Sequence, residues 1–134
     1  MTKLSAIEGI GGLYGDKLRK AGVASLESLL KKGASPKGRS DLEQASGVSK
    51  GLLLEWVNRA DLFRIKGVAE EYSDLLEASG VDTVVELAQR NAANLHAKMV
   101  EVNAAKKKVR SLPSESQVEN WVAQAKNLPR VVTY

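Results

Sequence analysis

The residues of this chain most able to do chemistry are glycines set just ahead of helical patterns, with lysines nearby. In Ile7-Glu8-Gly9-Ile10-Gly11-Gly12-Leu13-Tyr14-Gly15-Asp16-Lys17-Leu18, three glycines precede such a pattern. Glycine lets a turn take positive φ and leaves no side chain over the backbone. Free amides at the start of the next helix then face an anion, and the helix dipole adds to the attraction. A basic side chain close by contributes counterion release from a nucleic acid. Gly9, Gly11 and Gly12 would supply the turn and Lys17 and Lys20 the cations, with Glu8 and Asp16 in opposition. Gly47, Ser49 and Lys50 form a similar set with no acid after them until Glu55. The densest positive cluster is Lys106-Lys107-Lys108 with Lys98 and Arg110, where 95–110 holds one acid, Glu101. That cluster could sit on phosphates or simply complement the C-terminal dipole of its helix.

Other chemistries find no residues to carry them. No cysteine is present and His96 is the single histidine, so thiolate sites, histidine pairs and disulfides are excluded. The carboxylates are scattered rather than paired for two metals, and there is no glycine-rich Lys-Ser/Thr loop for a nucleoside triphosphate. The expectation is a protein that is not an enzyme, with no metal, cofactor or small-molecule substrate. The start of the chain lacks a leader-like apolar run and no stretch has transmembrane length, so a cytoplasmic protein without a membrane partner is expected.

The glycine pattern recurs. Aligning 7–30 with 65–88 gives eight identities in twenty-four positions: Ile7/65, Gly9/67, Tyr14/72, Asp16/74, Leu18/76, Gly22/80, Val23/81 and Leu29/87. A second match, Ser49–Ala60 with Ser114–Ala125, has an offset of 65 rather than 58. The seven extra residues fall in 95–110, where Leu95, Met99, Val102 and Val109 keep helical spacing, so a longer helix is expected. The repeats span 7–62 and 65–127 of one compact 134-residue domain. Gly47-Val48-Ser49 and Leu112-Pro113-Ser114 read as third and fourth hairpins. The second and fourth suit a phosphate poorly, because Glu70, Glu71 and Glu115 are acidic and Pro113 lacks an N–H.

Apolar residues at 43% allow a core, and aromatics at only 4% leave Ala, Leu and Val to fill it. The fold class expected is all-α, with about four hairpins in two pseudo-symmetric halves around one core. Gly22, Gly33 and Gly80 are placed to end helices in the left-handed region. Ser40/Glu43, Thr83/Glu86 and Ser114/Gln117 have capping-box spacing, and Ser35-Pro36-Lys37-Gly38 reads as a turn kept soluble by Lys31, Lys32, Lys37 and Arg39. Trp56 and Trp121, at matched positions on apolar stripes, are expected in the core, with Tyr14 and Tyr72 packing beside them.

The segment Trp56-Val57-x-x-Ala60-Asp61-Leu62-x-Arg64-Ile65-x-Gly67-Val68, followed by Leu75-Leu76, Gly80-Val81, Thr83-Val84, Glu86-Leu87-Ala88 and Arg90-Asn91, resembles a bacterial family of tandem helix-hairpin-helix domains of unknown function. The resemblance implies the fold over nearly the whole chain and attaches no catalytic residue to it. More distantly, the first hairpin is similar to those of DNA repair and uptake proteins, whose Gly-apolar-Gly amides contact phosphates. The net charge of +4 permits a polyanionic partner without demanding one. Expected, then, is a binding module for nucleic-acid backbone, duplex DNA ahead of single strands. The alternative is a protein–protein adaptor or homo-oligomeric scaffold whose hairpins only pack helices.

Overall fold

The computed structural model describes residues 2–7 and 9–134. Glu8, counted above against the first hairpin, lies outside the described residues, as does the side chain of Glu70. A 3-10 turn, Leu4–Ala6, is followed by α1 (Gly12–Lys20), α2 (Leu26–Gly33), α3 (Pro36–Ser46), α4 (Lys50–Leu62), α5 (Ala69–Ala78), α6 (Val84–Ala88), α7 (Ala92–Lys106) and α8 (Glu115–Lys126). The described residues contain no strand. They gather into two compact units, Met1–Asp61 with Val131–Tyr134, and Leu62–Arg130.

In the first unit, Leu18, Val23, Leu29, Leu53 and Val57 are fully buried. Trp56 is buried too, and Tyr14 meets its ring edge-on at 5.1 Å between centroids. Gly22 ends α1 at φ 89°, the Val23 N–H returning to the Leu18 carbonyl, and Lys32 Nζ donates to the Gly22 carbonyl at 2.9 Å. Gly33 does not end α2 in the left-handed region as expected. It is there for packing, since a Cβ would stand 2.5 Å from Val57 Cγ2. The Ser35-Pro36-Lys37-Gly38 stretch is the first turn of α3 rather than a free turn, with Ser35 as cap and Pro36 at the first helical position. Ser40 and Glu43 therefore lie inside α3 and form no cap box.

Arg39 is not a solubilising loop residue either, being 5% exposed. Its guanidinium donates to the carbonyls of Gly33 (2.8 Å) and Ala34 (3.1 Å) at the end of α2, and to that of Thr133 (2.7 Å). Thr133 N–H in turn donates to the Ala34 carbonyl. One buried cation so joins a helix C-terminus to the last residues of the chain, and burial pulls its pKa below the usual guanidinium value.

The second unit has its own core, including Ile65, Leu75, Leu76, Leu87, Leu95, Met99 and Val118, with α8 against α6 and α7. Trp121 is buried there, its ring 5.3 Å from that of Tyr72. Gly80 ends α5 at φ 93°. Thr83, Asn91 and Ser114 cap α6, α7 and α8 through their side chains, and Ser114 with Gln117 completes a capping box. The expected long helix over the inserted residues stops at Lys106, where Lys107 turns at φ 51°. The Asn103 carboxamide then holds both the N–H and the carbonyl of Val109, at 2.9 and 3.1 Å. His96 Nε2 donates to the Pro113 carbonyl at 2.9 Å.

Two glycines of this scaffold predict opposite outcomes on substitution. A Cβ at Gly38 would run into the Lys32 carbonyl oxygen, whereas one at Gly51 meets nothing. Gly38→Ala is expected to cost at least about 2 kcal/mol, and Gly51→Ala to add up to about 1 kcal/mol, both read by urea unfolding. Equal effects would contradict this packing. Glu27 predicts a pH response. Its carboxylate accepts the Thr2 N–H at 2.7 Å, which lowers its pKa from the ordinary 4.5 against a smaller opposing effect of burial. A depressed carboxylate pKa means the contact is fully stabilising above 4.5 and is lost as pH falls through the lowered value. Exchange at the Leu26 amide, which donates to the Thr2 carbonyl, should quicken over that range and lose this dependence in Glu27→Gln.

Candidate nucleic-acid interface

The four hairpins differ in what already occupies their backbone donors. At the first, Gly9 turns at φ 99° and Ile10 is driven into the core. Gly11 is the extended N-cap residue of α1, with no side chain to bond the helix and no acid in its first turn. Among the described residues, nothing accepts from the amides of Gly12, Leu13 or Tyr14, whereas Gly15 N–H bonds the Gly11 carbonyl. Gly9, Gly11 and Gly12 are exposed, and Leu13 beside them is 70% exposed.

The cation at this helix start is not the one the spacing suggested. Lys17 stands five residues after Gly12, about 7.5 Å along the axis, and Lys20 about 12 Å. Both belong to the last turn, and Lys17 Nζ sits 5.7 Å from the centroid of the Tyr14 ring. Arg19 instead folds back along α1. Its Nη1 is 3.3 Å from where a Cβ on Gly15 would be, and the side chain lines a depression of about 110 Å³ with Ser5, Gly11 and Gly12. Asp16 holds it there at 2.9 Å. The signal was available in the glycine at i and the arginine at i+4, since only a missing side chain leaves that track open.

At the third hairpin the chain has supplied its own anion. Gly47 turns at φ 77°, but the Lys50 N–H donates to Glu43 Oε2 at 2.9 Å and Leu52 N–H to Ser49 Oγ at 3.3 Å. Glu43 stands seven residues upstream of Lys50, before the glycine rather than after it. At the second, Gly67 has φ 96°, and the Gln124 carboxamide takes the N–H and carbonyl of Lys66 at 2.9 and 3.0 Å. At the fourth, Ser114 and Gln117 satisfy each other's amides.

The cluster Lys106, Lys107 and Lys108 is exposed on the turn that closes α7, in the second unit. Lys17, Lys50 and Arg19 belong to the first unit. No group of three or more His, Asp or Glu side chains able to hold a metal occurs among the described residues, nor any helix long and apolar enough to cross a membrane.

Because Glu43 holds the start of α4, Glu43→Ala should lower stability by about 1 kcal/mol in urea unfolding. An unchanged midpoint would show the carboxylate to be idle. No curated protein and no solved structure matches the chain. Residues 8–128 match the family model described as a domain of unknown function, DUF4332, and the chain belongs to that family.

Proposed function

We propose that the chain is a duplicated scaffold of tandem helix-hairpin-helix units and a non-enzymatic module that holds nucleic-acid backbone, without sequence preference, through its first hairpin. The observation that carries this reading is the start of α1. Gly11 and Gly12 precede amides with no acceptor among the described residues, no acid stands in the first turn, and Arg19 lies alongside. The duplication rests on paired features, with Gly9 and Gly67 at φ 99° and 96° and Gly22 and Gly80 at 89° and 93°. Each unit also buries one Trp against one Tyr. A phosphate oxygen suits the bare amides, and the guanidinium beside them adds charge that an exposed Asp16 only partly offsets.

Self-satisfied hairpins favour the second reading, a protein–protein adaptor in which all four serve as connectors. A mobility shift on unrelated duplex and single-stranded DNA and RNA, titrated with salt, separates the two. Binding should weaken with a slope of about −0.9 in log salt for each duplex phosphate engaged. Gly11→Asp is the decisive variant. Gly11 has φ −84° and open space at its Cβ position, so aspartate fits there and caps α1 itself. Thermal stability should hold or rise while binding falls at least about tenfold, since the carboxylate takes the place of the phosphate. No binding to any nucleic acid at low salt, or full binding by Gly11→Asp, would overturn the proposal.

A further inference from the structure

The first unit carries a groove that the hairpin reading does not use. It is an open depression of about 530 Å³ between the starts of α3 and α4 and Tyr134. That volume lies in the range of a pocket for one small ligand. Pro36, Leu54 and the ring of Tyr134, an exposed residue, form its apolar part, and the Tyr134 hydroxyl donates to Asn58 Oδ1 at 3.3 Å. Lys37, Arg39 and Lys50 form its charged part, no Asp or Glu side chain lines it, and Tyr134 sets a negative charge against Arg39.

The charges are unevenly compensated. Lys37 pairs with Asp41 at 3.1 Å on the exposed face of α3. Arg39 is met by three backbone carbonyls and feels the negative charge of Tyr134. Lys50 has no side-chain ion pair among the described residues. The Gly51 N–H, also on the groove wall, has no acceptor among them, because Glu43 and Ser49 take the amides on either side of it. A groove with the Lys50 ammonium and a bare amide at one end and a flat aromatic ring at the other complements a molecule that is anionic at one end and flat at the other.

We infer that this groove binds a single nucleotide, its phosphate between Lys50, the Gly51 amide and Lys37, and its base against Leu54 and the Tyr134 ring. Base–aromatic stacking is tolerant of sequence, which suits a partner held without base recognition. The occupant is free nucleotide or the end of an unpaired strand. An acidic peptide would satisfy the lysines but leave the flat apolar end without a matching group. The groove is separate from the first hairpin in its residues, so either proposal can fail while the other stands.

The test is an NMR titration of the ¹⁵N-labelled chain with adenosine monophosphate, adenosine, inorganic phosphate, a short single-stranded oligonucleotide and an acidic peptide. Expected are saturable shifts at Gly51 and Tyr134 with the nucleotide, at least about tenfold weaker with phosphate or adenosine alone. A tighter response to the oligonucleotide identifies a strand end as the occupant, and an equal one the free nucleotide. Lys50→Glu should abolish the response to adenosine monophosphate and Tyr134→Ala weaken it. Both sites are exposed and their spectra report whether the fold persists. Gly11→Asp should leave it unchanged. No saturation by any nucleotide ligand, the same affinity for phosphate alone, or binding of the peptide in preference would overturn the inference.

Discussion

Among the described residues, eight short α-helices create many helix ends, and each end leaves up to four backbone groups without an intrahelical partner. Finding partners for those groups is the constraint around which the rest of this structure is arranged. Ser25, Ser35, Thr83, Asn91 and Ser114 close five helix starts with their own oxygens. Lys32 and Arg39 close helix ends from a distance, each with a cation on carbonyls at the negative pole of a helix. Two of the basic side chains thus serve as internal partners of the backbone. A lysine count reads as surface potential only after such residues are removed from it.

The hairpins are tied to the cores by a second constraint. A Cβ on Gly9 would lie 3.8 Å from Trp56 Nε1, and one on Gly67 only 3.1 Å from Trp121 Nε1. The positive φ at both positions lets the chain pass close to the indole, so the largest core side chain and the turn fit one another. This is why Gly67 stays while its surroundings turn acidic. Its conformational and packing roles are sufficient reason for a glycine, and binding need not be invoked for it.

Those same two constraints explain what could be read from the residues and what could not. The all-helical class was legible from apolar spacing, and the buried tryptophans from their matched positions. Gly22 and Gly80 were legible because a left-handed helix end has few chemical solutions. Gly33 was misread because its reason is Val57, twenty-four residues away, and local spacing carries no information about that contact. Ser35-Pro36 looked like a turn because a helix start and a turn use the same residues. At the candidate site the glycines were legible and the cation was not. Arg19 reaches the start of α1 only because Gly15 leaves its path open, and Glu43 reaches Lys50 because the Gly47 turn brings the end of α3 to the start of α4.

The exception among the helix starts is what gives the first hairpin its functional weight. Among the described residues, α1 and α5 begin without a side-chain cap from their N-cap residue. At α5 the next residues are Glu70 and Glu71, so negative charge stands in the sequence where the dipole favours it. At α1 the corresponding residues are Gly12 and Leu13, and no acid lies in the first turn. Stability alone would favour Ser, Asp or Thr at Gly11, where the backbone is extended and nothing crowds a side chain. This chain uses that solution at five other helices. Leaving it out at the one start flanked by an arginine, with Leu13 exposed to solvent, forgoes a stabilising bond that would have cost nothing sterically. Under the proposed function, a ligand that brings its own oxygens would supply the acceptor that these amides lack among the described residues.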